Sequence, residues 1–195
     1  TGAVALFVIL TLAGCAPAAG GGDTAPPADT PSPGVTETAP PDGGDSGDGS
    51  TPTCTRDDLD ISYGEADSSA GHRHGVLSFT NTAPSPCTLE GYPIVFMGNS
   101  EVAAPAGQQA TEDAVVDPVL ITLDPGNVAT SAVTITQAGI IDGCTVVSSD
   151  HLIVAPPLDH TFVWEDDAQS VAIGATDSCG EDSIGLISVA AFQPL

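Results

Sequence analysis

Between Ala16 and Thr53 the chain carries one sizeable aliphatic residue, Val35, and no aromatic one. Pro, Gly, Thr, Ala and Asp fill the rest, in runs such as Ala25-Pro26-Pro27 and Gly43-Gly44-Asp45-Ser46-Gly47-Asp48-Gly49. Such a tract has too little apolar surface to offset the entropy of ordering. The sequence therefore predicts a disordered linker over 15–53 and confines folding to residues 54–195. That leaves about 140 residues, enough for one domain. As a random coil the linker spans ~35 Å; drawn out as polyproline II it reaches ~120 Å.

Upstream, an apolar run from Ala3 to Leu12 ends in Leu12-Ala13-Gly14-Cys15. It is too short to cross a bilayer, which takes roughly 20 residues, and it fits the apolar core of a secretory signal. No Met and no basic residue precede it, so the start of the signal is expected to lie before Thr1. Leu-Ala-Gly-Cys resembles the lipobox of bacterial lipoproteins. The resemblance implies lipid on the Cys15 thiol, cleavage before it and a signal peptide over 1–14. Two acyl chains hold a protein stably at a membrane where one binds only marginally. The expected location is the outer face of the cell membrane.

With Cys15 set aside, Cys54, Cys87, Cys144 and Cys179 form an even set in an exported domain, which predicts two disulfides. Three pairings are open. Cys54–Cys87 with Cys144–Cys179 is favoured, because it closes two loops of similar length without interlacing. No two of these cysteines are close in sequence, so the paired spacing of a zinc site is missing.

Charge narrows the partners. There are 26 acidic residues, two arginines (Arg56 and Arg73) and no lysine, for a net charge of −24. Nothing here would neutralise phosphates, so nucleic acid and anionic lipid surfaces are poor partners. The excess is spread along the chain, as on a soluble, self-repelling surface. A basic-faced partner or divalent cations are the more specific alternative.

The folding region has short apolar runs split by Gly, Pro, Asn and Asp. Ser131 to Thr136 alternates, as do Leu77 with Phe79 and Phe162 with Trp164. Leu152-Ile153-Val154 and Ile184 to Phe192 are more continuous, as in strands buried on both faces. Glu101 to Val116 has a faint helical look. Many short strands separated by turns predict an all-β antiparallel fold, an immunoglobulin-like β-sandwich.

Gly71 to Pro93 reads GHRHGVLSFTNTAPSPCTLEGYP, with Ala70 before it and Thr122-Leu123-Asp124-Pro125-Gly126 and Cys144 further on. This pattern resembles domain of unknown function family 4232, common in secreted proteins and lipoproteins of actinobacteria. The likeness covers most of Cys54 to about Pro157 and is weaker beyond. It implies an exported β-sandwich in an actinobacterial envelope and no particular activity. The residues themselves suggest framework roles. Asn81 suits a turn, Gly91 tolerates a backbone shape other residues avoid, and Tyr92 suits a corner with its ring in and its hydroxyl out.

Candidate chemistry is sparse. His72 and His74, two apart, would share one face of a strand and could hold a transition metal with His151, His160 or an acid. Asp57-Asp58-x-Asp60 and Glu165-Asp166-Asp167 are possible calcium oxygens, but lack the spacing of an EF-hand loop. Gly44-Asp45-Ser46-Gly47 looks like the surroundings of a trypsin-type nucleophile, yet sits in low-complexity sequence with no pocket. Phe79, Tyr92, Phe96 and Phe162 suit a core better than a sugar platform. No catalytic motif and no cofactor site is legible. The sequence thus predicts a non-catalytic module binding a protein, wall polymer or small ligand. The alternative is a small envelope enzyme or metal-handling protein. A pocket with a convergent His–acid pair would favour the enzyme; an exposed apolar surface would favour the partner.

Overall fold

A computed structural model describes residues 50–101 and 104–195. Cys15, the expected signal peptide and nearly all of the expected linker lie outside those residues. Among the described residues, no helix is long and apolar enough to cross a membrane.

The fold is all-β. Strands β1 (Leu59–Ser69) and β2 (His72–Asn81) form a long hairpin. Next come β3 (Cys87–Leu89), β4 (Ile94–Gly98), β5 (Pro105–Ala106), β6 (Thr111–Asp113), β7 (Ile121–Leu123) and β8 (Val128–Thr136). The chain ends with β9 (Val146–Ala155), β10 (Gln169–Cys179), β11 (Ile187–Ala190) and β12 (Gln193–Pro194). One sheet has the order β1-β2-β8-β11-β6, with β12 also on β8; a second runs β10-β9-β4-β5; β3 and β7 make a ribbon. All pairs are antiparallel except β11 with β6.

Period-two alternation decides which side chains meet. Leu77 and Phe79 of β2 and Val133 and Ile135 of β8 point into one core. Val95 and Met97 of β4 and Leu152 and Val154 of β9 enter it from the second sheet. Phe79 meets Phe192 edge to face, with ring centres 5.0 Å apart. Gly75 leaves room for the Tyr63 ring, which a β-carbon would strike. Each buried large side chain contributes about 1.5–3 kcal/mol. Ile153 and Ala155 point the other way, into a second cluster with Ala168, covered by Phe96, Phe162 and Trp164. Leu152 to Val154 is thus buried on both faces.

Local chemistry fixes the turns. Ala70 (φ 48°) and Gly71 (φ 83°) form the two-residue turn between β1 and β2, both in the left-handed region that matches strand twist. Asn81 is buried; its amide donates to the carbonyls of Ser85 and Leu123 and its oxygen accepts from the Ala83 amide. Asp124 to Asn127 closes a turn with Pro125 and then Gly126 at φ 84°, the arrangement of a type II turn. Gly91 stands at φ 90°.

Three local readings change. Glu101 to Val116 is not helical: its described residues include the short strands β5 and β6, in keeping with Pro105 and Gly107. Phe162 and Trp164 lie not on a strand but at the four-residue helix α1 (Trp164–Asp167) and the loop before it. Phe162 stacks on Phe96 at 5.4 Å, and Trp164 packs against the cluster of Ile153, Ala155 and Ala168. Of Ile184 to Phe192, only β11 is extended ladder.

The disulfides join Cys54 to Cys87 and Cys144 to Cys179. The first ties the incoming chain to β3, where Cys54 also donates its amide to Thr88. The second joins the β9–β10 hairpin where it opens.

Candidate functional site

A cleft of about 540 Å³ lies where the incoming chain, β3 and the β9–β10 connection meet. Thr53 to Asp57 make one side, with Thr88 and Glu90 beside them; Pro157 to His160 and Asp166–Asp167 make the other. Leu120, 63% exposed, and the half-buried Pro157 and Leu158 add aliphatic lining.

Each side has its own support. A short 3-10 turn, Arg56–Asp58, is held by Asp58, whose carboxylate accepts from the Thr55 amide (2.8 Å) and hydroxyl (2.7 Å). Arg56 then reaches across and donates to the carbonyls of Glu165 (3.1 Å) and Asp166 (3.3 Å). Gln169, at the start of β10, donates to the carbonyls of Arg56 and Leu59 and accepts from the Ile61 amide. One side-chain amide therefore knits the two large sheets together beside the cleft.

His160 lies between two carboxylates. Its Nδ1 is 3.0 Å from Asp159 and its Nε2 3.1 Å from Asp167. Asp167 also accepts from the Val163 amide at 2.7 Å. The bonds to Asp159 and then Asp167 push the imidazole pKa up from its ordinary value. Asp159 is held low chiefly by His160, and Asp167 chiefly by the Val163 amide. A His–acid group thus does converge on a cleft. Both ring nitrogens are occupied, however, so the ring is set to keep a proton rather than to take one from a substrate hydroxyl.

The two acidic runs singled out in the sequence meet here: Asp57 from the first faces Asp166 and Asp167 from the second across the cleft. They do not form a calcium cage. Among the described residues, the group of three ligand atoms close enough for one ion is Cys144, Cys179 and Glu181, and its two sulfurs are bonded to each other.

His72 and His74 do share a face of β2, with ring centres 6.3 Å apart. Their Nδ1 atoms pair with Thr136 and Thr134 of β8, each at 3.1 Å. His151 pairs instead with Asp150, and His160 belongs to the cleft. The four histidines therefore sit in three separate settings.

Leu120 was not singled out by the sequence. It belongs to Ala114-Val115-Val116-Asp117-Pro118-Val119-Leu120, in which Val115 is 83% exposed and Val116, Val119 and Leu120 are exposed too. In sequence, the available signal was two aliphatic pairs, Val115-Val116 and Val119-Leu120, flanking Asp117-Pro118.

A family model described as a domain of unknown function (DUF4232) matches residues 54–193. The match runs past Pro157, where the sequence likeness weakens, and includes β10 and β11. No curated protein and no solved structure matches the chain. Since the match covers well over half of the sequence, the chain belongs to the DUF4232 family.

Proposed function

We propose that this is a lipid-anchored, extracytoplasmic binding module of an actinobacterial envelope, with no catalytic role, and that the cleft at Arg56, Leu120 and His160 is its binding site. The observation that carries the reading is the make-up of the cleft. Exposed Leu120 and half-buried Pro157 and Leu158 line the same cleft as a histidine whose two nitrogens are committed to carboxylates. That combination suits recognition better than turnover. Anchoring rests on the Leu12-Ala13-Gly14-Cys15 pattern, with lipid on Cys15 and the tract to Thr53 as tether.

The architecture we propose is an immunoglobulin-like sandwich. Strand order supports it: β1-β2-β8 follows A-B-E of that fold, and β10-β9-β4 follows G-F-C. The place of strand D beside E is taken by β11, which arrives late in the chain. The disulfides differ from the usual bridge between sheets: one holds the entry to the domain and the other a single hairpin.

A photo-crosslinking residue at Leu158, compared with one at Thr134 on the other large sheet, tests the binding site on intact cells bearing the full chain. The expected result is a discrete adduct from Leu158 alone, in the membrane fraction, and release of the protein from that fraction by Cys15→Ala. Equal adducts at both positions, or none at either, would contradict the cleft as the site.

A further inference from the structure

We propose that the cleft receives a peptide segment of another protein that presents lysine or arginine beside an aliphatic side chain. The proposal rests on the binding reading above and specifies its ligand.

Leu120, Pro157 and Leu158 offer apolar surface to an aliphatic group. Around it, Asp57, Glu90 and Asp166 are exposed and make no side-chain hydrogen bond or ion pair with other described residues. Asp159 and Asp167, by contrast, are occupied by His160. The single arginine at the cleft, Arg56, spends its guanidinium on the carbonyls of Glu165 and Asp166. What remains open is therefore an aliphatic surface with three uncommitted carboxylates, and the complementary ligand is cationic and partly apolar.

Charge also says where that ligand comes from. The chain has no lysine, both arginines are engaged, and its net charge is −24. A second copy would meet the cleft with repulsion. The chain's own segment before Ser50 leads directly to Thr53 on the cleft's rim, yet it holds six acidic residues and no basic one. Neither can supply the cations, so a different protein must. A peptide is favoured over a free amine because aliphatic side chains and uncommitted carboxylates line the same cleft and call for a ligand with both groups.

The test is calorimetric titration of the full chain with a hexapeptide alternating leucine and lysine, its leucine–glutamate counterpart, and spermidine. Three variants separate the cleft from the bulk charge. One is Asp57→Asn with Glu90→Gln and Asp166→Asn. A second removes the same charge elsewhere, with Asp60→Asn, Asp113→Asn and Asp177→Asn. The third is Leu120→Ser. The basic peptide is expected to bind, at least tenfold more weakly to the cleft triple variant and within twofold of the parent to the remote one. Leu120→Ser is expected to weaken the peptide severalfold and leave spermidine unchanged. Equal losses in the two triple variants would reduce the effect to bulk attraction and overturn the proposal, as would binding of the glutamate peptide. Spermidine binding as tightly as the peptide would replace a protein segment by a free polyamine. If every peptide fails while the Leu158 adduct persists on cells, the cleft still binds a partner and only its cationic character is wrong.

Discussion

The two ends of the domain are closed in different ways. At one, β1 and β2 meet in the tight Ala70-Gly71 turn, and the β9–β10 hairpin is cross-linked by Cys144–Cys179. Beside that disulfide, Glu181 accepts from the Thr145 amide. The concavity there, about 380 Å³, is lined by Asn99, Ser148, Ser149, Asp150, Thr176 and Asp177, with only Ala175 apolar. At the other end the same strands are joined by irregular chain and by side-chain-to-backbone bonds from Arg56, Asn81 and Gln169, and Leu120, Pro157 and Leu158 add aliphatic lining. Both ends are acidic. Acid alone is a solvated surface; acid beside apolar side chains is selective, and of these two concavities the cleft is the one that combines them.

Removing each disulfide gives the largest contrast. The closed loops are nearly equal, with sequence separations of 33 and 35, so loop entropy predicts losses of ~3–4 kcal/mol for either Cys-to-Ser pair. Denaturant titration should show similar losses, while basic-peptide binding should fall only when Cys54 and Cys87 are replaced.

The two arginines should differ next. Arg73 is 14% exposed and donates from Nη2 to Glu65 (2.7 Å) and to the Ile173 carbonyl (2.9 Å), linking the two sheets at a β10 irregularity. Arg73→Met should cost about 1.5–3 kcal/mol, because a charge-assisted bond and a carbonyl's partner are lost. Arg56→Met should cost under about 1 kcal/mol, since its partners are exposed. Equal losses would erase that distinction. Ala70→Gly should raise stability by up to ~1 kcal/mol, relieving a left-handed alanine.

The smallest effect is with pH. His160 holds its proton more tightly folded than unfolded, so its contribution is complete below the ordinary 6.5 and fades as pH rises through the raised folded value. Asp159, Asp167 and Asp150 are held below 3.8, Asp150 at about 2 by Ser100 and His151. Their contributions are complete above 3.8 and fade as pH falls. Melting temperature should therefore be highest between about 4 and 6.5, and His160→Gln should flatten the fall on the alkaline side.

Much of this was legible from period and turn chemistry. Leu77 with Phe79, Val133 with Ile135, and doubly buried Leu152 to Val154 follow from spacing, and Asn81 and Gly91 from their conformational preferences. The Glu101 to Val116 region misled because spaced apolar residues suggested a helix. Its exposed aliphatics were in fact part of the surface. The cleft was illegible because Asp57 and Asp166, on its two sides, stand more than a hundred positions apart and are brought together by the bonds of Arg56 and Gln169. Asp159 adjoins His160 in the sequence, but the second carboxylate partner emerges only when α1 turns Asp167 back toward the ring.

Amide chemical-shift mapping of the full chain with the leucine–lysine hexapeptide tests the difference between the ends most directly. The account predicts saturable shifts clustered at Thr55 to Asp57, Leu120 and Leu158 to Asp167, with Asn99, Ser148 and Asp177 unmoved. Shifts centred on those three residues, or spread evenly over the acidic surface, would contradict it.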